Sequence, residues 1–295
     1  MAAERPPVLE HESLGQEIEG LDALDAPFVE REGALRRAWG AAWPRLAAVG
    51  IVLALWQLVV WSDWRPSYVL PGPARVLAEL GELAGTAKFW SAVATTLRRA
   101  ATGFALAIAI GTLLGVGVSR SFVLRRAFGS FITGLQNMPS IAWFPLAILL
   151  FQLSESAILF VVVVGASPSI ANGLVNGIDH IPPLLLRAGR VLGARGVARL
   201  RHVTLPAALP GYVAGLKQGW AFSWRSLMAG ELLVILSNRP ALGSQLQFAR
   251  ELSDAPGLMA LMIVVLVIGI LVDGLAFAAL ERSIRRRRGL VEIGA

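Results

Sequence analysis

Ionisable side chains are scarce in the long apolar stretches of this chain. Each one at membrane depth costs roughly 2.5–3.5 kcal/mol on insertion scales, so each calls for a partner or a wet cavity. Arg225 lies twelve residues into an apolar stretch that begins near residue 213, about 18 Å along a helix rising 1.5 Å per residue and so near a bilayer midplane. Its guanidinium offers five donors suited to a planar or tetrahedral oxyanion, and Ala221 and Ala229, one turn to either side, leave space around it. An ion pair with an acid on another helix, holding the bundle together, is the more ordinary reading of Arg225, and the sequence leaves both open. Glu231, six residues on, falls on a different helical face, which argues against an intrahelical pair. Its depth matches that of Arg98 and Arg99, one of which is expected to hold it as a structural clamp or part of a gate. Lys217 and Asp273 share a depth and form a second expected pair.

Other chemistries are excluded by residue type and spacing. His11, His180 and His202 are isolated, and there is no cysteine, so neither a zinc site by spacing nor a thiol nucleophile can be built. A phosphate-binding P-loop needs Gly-x-x-x-x-Gly-Lys followed by Ser or Thr, and the two lysines, Lys88 and Lys217, lack that context. Gly115-Val-Gly117 lacks the third glycine of a dinucleotide loop. The chain is therefore expected to hydrolyse no ATP, bind no cofactor or metal, and carry no catalytic group of its own. Most of its bases flank apolar runs, where membrane orientation explains them better than nucleic acid does.

The elements that position these residues follow from composition. Of 295 residues, 55% are hydrophobic and 16% charged, against about 25% charged in soluble domains, and the mean hydropathy is +0.63. Six stretches, near 45–62, 95–118, 127–151, 157–177, 213–235 and 257–280, are long enough to cross a bilayer. The expected fold is all-α: a polytopic membrane protein with six transmembrane helices. Residues 1–42 balance at −5 and the remaining 253 at +12. The first 42 form an acidic, disordered tail with no cleavable signal; 43–284 form the membrane domain; 285–295 form a basic tail. Arginines cluster before the first stretch, between the second and third, in the 178–212 connection and after the sixth, which puts both termini in the cytoplasm.

Two stretches are interrupted. Asn137, Pro139 and Pro145 lie in the third, and Pro168 and Asn172 in the fourth. Proline removes a backbone donor, so broken helices lining a protein or water cavity are expected, either as kinks satisfied by neighbours or as the wall of a translocation path. Gly111 with Gly115, and Gly173 with Gly177, are spaced for close helix packing, inside the chain or between copies. The 63–94 connection holds Pro71-Gly-Pro73 and a helical pattern from Val76 to Leu83, placed on the membrane surface or over the outer mouth.

The 178–212 connection carries the most specific pattern. Leu184, Ala188, Val191 and Leu192 form one helical face with arginines on the rest, Gly193 and Gly196 punctuate it, and a second short helix with Val197, Leu200 and Val203 is expected to stop before Pro206. Taken alone this is a cytoplasmic helical hairpin that projects from the membrane or lies on anionic lipid. Its spacing resembles the loop of permease subunits of binding-protein-dependent ABC importers. That loop reads Glu-Ala-Ala, three residues, Gly, nine residues, Ile, one residue, Leu-Pro. Here Arg187-Ala188-Gly189, Gly193, Val203 and Leu205-Pro206 keep every interval, with Arg187 where the family has Glu. Asn137-Met-Pro139-Ser-Ile-Ala-Trp-Phe-Pro145, Ser167-Pro168, Asn172, Ser223-Trp224 and Ala229-Gly230-Glu231 resemble the nitrate, sulfonate and taurine branch, Gly230 standing where a second alanine is common.

The resemblance implies a type I importer permease fold working as a pair, here a homodimer. It implies that the loop docks on two ATPase subunits, which bind ATP-Mg, and that an extracytoplasmic binding protein delivers a small anion. The candidate path residues are then Asn137, Pro139, Pro145, Pro168, Asn172, Trp224 and Arg225. A stand-alone secondary transporter and a membrane-embedded enzyme are the rivals; neither requires the loop spacing, and the sequence offers neither an acid relay nor clustered His, Asp or Glu.

Overall fold

The computed structural model describes residues 34–236 and 239–287, so most of the acidic tail, with His11 and Arg31, and residues 288–295 of the basic tail lie outside the described residues. Every element among the described residues is helical. The chain divides into two units, Met1–Leu58 and Val59–Ala295. The first contributes most of α1 (Ala34–Trp61). Leu46, Val52 and Leu55 are exposed along it, and its segment Ala42–Trp61 is long and apolar enough to cross a membrane. The helix begins at Ala34, inside the segment expected to be a disordered tail.

The second unit starts its helices with α2 (Pro73–Ala84), longer than the Val76 to Leu83 pattern, because Pro73 opens it with a φ already helical. Then come α3 (Ala87–Ser119) and α4 (Phe122–Asn137), a 3-10 turn over Ser140–Trp143, and α5 (Phe144–Phe151). Next are α6 (Glu155–Asp179), α7 (Pro183–Val191) and the single turn α8 (Gly196–Arg199). The series closes with α9 (Leu205–Leu233), α10 (Leu242–Glu251), α11 (Ala255–Val272) and α12 (Ala278–Arg287).

Helix α6 is the spine of this unit, packed along α3 on one flank and α9 on another. Glycine sets both distances. A Cβ on Gly111 would stand 2.7 Å from Ser167 O, and one on Gly115 3.1 Å from Ala171 O, so α3 closes on α6 only where side chains are missing. Across the other flank Gly173 and Gly177 meet Gly211 and Gly215, and a Cβ on Gly215 would lie 2.6 Å from Gly173 Cα. Both glycine pairs noted in the sequence thus pack inside the chain. Where apolar burial alone drives little association, such backbone approach supplies the packing.

Trp220, Trp224, Phe104 and Phe277 fill the space between α9, α3 and the last helices, with Trp220 and Trp224 stacked at 6.0 Å and Phe104 edge-on to Trp220 at 5.3 Å. At the end of the unit away from α7, α2 and α10 pack over α3 and α11, where Phe89, Ala92, Leu242, Leu246 and Leu261 form a separate core.

Among the described residues, four helices are long and apolar enough to span a membrane, and a fifth span arises if the α4–α5 pair, bent by 101°, counts as one. The fifth expected stretch, 213–235 in α9, is not among them; Lys217, Arg225 and Glu231 lie in it.

Candidate functional site: a loop surface, a broken helix and two arginines

The loop between α6 and α9 is built by glycine. Helix α7 ends with Ala194 N–H donating to Gly189 O at 2.9 Å while Gly193 takes φ +81°, the left-handed closure that glycine permits without a Cβ penalty. Gly196 turns the chain again at φ +54°. Helix α7 then lies back on the returning chain: a Cβ on Gly189 would stand 2.9 Å from Val203 Cγ2. The apolar face of α7 is not spent on its own chain, since Leu184, Val191 and Leu192 are 76%, 88% and 85% exposed. Arg187, Arg190, Arg195 and Arg201 are exposed around them. Leu185, Ala188, Gly189, Val203 and Pro206 line a shallow groove beside this surface.

The expected stop before Pro206 does not occur. From Gly196 the chain stays helical through a π turn, Leu200–Thr204, into α9, with Leu205 N–H bonding back to Leu200 O. Pro206 falls directly after this turn, inside a continuous helical run. The wider turn absorbs the proline that sequence rules read as a terminator.

The third stretch is broken as expected. Met138 and Pro139 are extended, and the 3-10 turn restarts the helix. Asn137, Pro139 and Pro145 are exposed, but Pro145 opens α5 rather than interrupting it. The fourth stretch is not broken: α6 runs unbroken through Pro168, which is buried, while Ser167 Oγ donates to Val163 O at 2.7 Å. Asn172 is half-buried and donates to Gln136 Oε1 at 2.7 Å, and Gln136 Nε2 donates to Ser169 Oγ at 2.8 Å. This three-residue amide and hydroxyl chain ties α4 to α6 just below the break. Trp224, expected on the path, is buried in the aromatic core.

Glu231 is fully buried and saturated. Arg99 Nη1 donates to its Oε1 at 3.1 Å; Thr96 Oγ1 and Gly243 N donate to its Oε2 at 2.8 and 3.1 Å. Thr96 Oγ1 in turn accepts from Leu242 N at 3.0 Å. Helix α10 points its N-terminus, the positive end of its dipole, at this carboxylate. Arg99, rather than Arg98, is therefore the partner of Glu231. Arg98 reaches Glu155 instead at 3.6 Å; Arg99 Nε also lies 3.5 Å from Glu155, and Arg239 pairs with the same carboxylate. Glu155 was not singled out in the sequence; its place directly after the helix-capping Ser154, at the depth of Arg98, was the available signal. Lys217 lies 3.5 Å from Asp273 and 3.9 Å from Glu281.

Arg225 differs from all of these. It is exposed, its Nε donates to Ala221 O at 3.0 Å, and its guanidinium carbon sits 4.7 Å over the Phe222 ring. No carboxylate among the described residues pairs with it. Ala214, Gln218 and Ala221 are exposed on the same face of α9.

Residues 107–286 match the family described as binding-protein-dependent transport system inner membrane component, and the chain belongs to that family, the permease subunits of ABC importers. A permease of Escherichia coli (strain K12) named for aliphatic sulfonates transport, SsuC, is 30% identical over 78% of this chain and 86% of its own. The taurine transport system permease protein TauC of the same organism is 26% identical over 84% of this chain and 90% of its own. The nitrate import permease protein NrtB of Synechococcus elongatus is 29% identical over 64% and 71%. The chain thus stands in the nitrate, sulfonate and taurine branch of these permeases. Among solved structures, a chain of the MetNI methionine ABC transporter in an inward facing conformation shares the fold, with TM-score 0.53 and 22% identity over 66% of this chain and 93% of that one. Family and fold together define a multi-pass inner-membrane subunit of an ATP-driven importer that works with ATPase and solute-binding partners.

Proposed function

We propose that this permease moves a small anion of the aliphatic sulfonate, taurine or nitrate class into the cell, after delivery by an extracytoplasmic binding protein. The observation that carries the reading is the loop surface, where Leu184, Val191 and Leu192 stand exposed within a rim of arginines although their own chain offers a groove beside them. An apolar patch with a polar rim is the composition of a protein interface. In this reading Arg187, Ala188, Gly189, Gly193, Val203, Leu205 and Pro206 form the docking element for the ATPase. The loop and both termini are cytoplasmic, and six helices span the membrane, with α9 shielded by neighbours because its charges are paired or face the path. Two copies of the chain and two ATPase subunits make the transporter. ATP-Mg binds in the ATPase subunits and no cofactor binds here; ATP binding draws the two loops together and opens the path outward, and hydrolysis returns it inward. The break at Asn137–Ser140, Pro145 and the Asn172 chain line the path beside Arg225.

The test is purification from the native membrane in mild detergent. A P-loop ATPase with ATP hydrolysis is expected to accompany the chain, and to be lost when Gly193→Asp and Leu205→Asp are combined. A chain that purifies alone and moves solute into liposomes without ATP would replace this reading with a secondary transporter.

A further inference from the structure

We infer that Arg225 is an oxyanion-binding station on the transport path, taking the sulfonate or nitrate head of the solute on its two terminal nitrogens. The inference rests on the importer reading above and adds the residue that selects for anions. Of the acids in or at the ends of the long helices, Glu155 is held by Arg98, Arg99 and Arg239, Asp179 by Arg125, Glu231 by Arg99, and Asp273 and Glu281 by Lys217. The other acids among the described residues, Asp63, Glu79, Glu82, Glu251 and Asp254, lie in connections or on the short helices α2 and α10. A second copy would bring the same acids, with those of its long helices paired in the same way. Among the described residues, no carboxylate of its own chain pairs with the positive charge of Arg225, eight residues before the end of α9.

A guanidinium at that depth without a carboxylate is tolerable only against water or a mobile anion. Its surroundings are arranged for the second. The bond from Nε to Ala221 O and the Phe222 ring under the guanidinium fix its plane, and the alanine side chains of Ala214 and Ala221 leave the exposed face low. The two terminal nitrogens have no partner among the described residues. They present a planar fork matched to two oxygens of one sulfonate or nitrate. With one bidentate contact and no enclosing cage, the anion is held weakly enough to leave, as conduction requires.

The test is anion-dependent thermal unfolding of the purified permease–ATPase complex, with nitrate or methanesulfonate as probe against gluconate at equal ionic strength. The wild type is expected to melt about 2–4 °C higher with either probe. Arg225→Gln should lose that rise, and Arg225→Lys, a point charge without the fork, should need roughly tenfold more anion for the same rise. An undiminished rise in the Gln variant, or none in the wild type, overturns the inference. Should the Gln variant fail to assemble, the Lys variant decides: a rise at wild-type anion concentration marks a structural cation and overturns it, a weakened one supports it. A lipid phosphate offers the same chemistry, so phosphatidylglycerol vesicles without added probe form a second arm, and a rise seen with lipid alone removes the solute assignment. Loss of ATP hydrolysis in the wild type would count against the importer reading instead, leaving the anion measurement to be read by itself.

Discussion

Two arginines on adjoining helices show how differently one side chain can be used. Arg99 is buried to 1% exposure and holds Glu231, which is itself tied to Thr96 and the start of α10. Arg225, six residues before Glu231 on the same helix, is exposed and touches no acid. The first joins α3, α6, α9 and α10 into one block; the second decorates the one face of α9 that no helix of its own unit covers. Polarity inside an apolar bundle is structural where opposite charges meet, and available for function where a counter-charge is missing.

The widest separation between the two regions is expected at Glu231. Glu231→Ala leaves the buried Arg99 with Glu155 alone, 3.5 Å from its Nε, and strips Thr96 and Gly243 of their acceptor; it should cost about 3–5 kcal/mol of stability, read as a large fall in unfolding temperature in detergent. Arg225→Gln should stay within about 0.5 kcal/mol of wild type in the same measurement. Equal losses at the two positions would erase the contrast. Next in size is Gly173→Val, whose side chain has no room against Gly215. Overpacking of this kind costs about 1–3 kcal/mol, and a stable, active variant would show that α6 and α9 are not locked together. Thr96→Val removes one donor to Glu231 and the acceptor for Leu242 N, and about 1–2 kcal/mol is expected, all of it in stability and none in anion response. The smallest effect belongs to Lys217→Gln: the pair with Asp273 is about half exposed, and less than about 1 kcal/mol should be lost. A larger loss there would move Lys217 into the structural class with Arg99.

Much of this was legible in the sequence because membrane chains write charge and proline sparingly. The depth match of Glu231 with Arg98 and Arg99, and of Lys217 with Asp273, needs only the rise of a helix; choosing Arg99 over Arg98 needs its rotation about the axis of α3. Pro139 read correctly as a break. Pro168 and Pro206 did not break their helices, since a spine packed on two sides and a π turn each supply what the ring removes. The hub at Glu155 was missed for a different reason. It stands at a helix start, where an acid is expected on dipole grounds alone, and three arginines from two segments converge there only in space.

The π turn at Leu200–Thr204 also fixes an angle. One residue of π geometry inserted into an α-helix shifts everything beyond it by about 100° around the axis. Because the helix runs from Gly196 to Leu233 without a break, that turn sets the phase between the loop and Arg225, as a keyway sets a cam on its shaft. Straightening it to plain α-helix would swing the loop surface to another compass bearing with every distal contact of α9 intact. A twist applied at Val203 has no slack in which to dissipate before it reaches the face that carries Arg225.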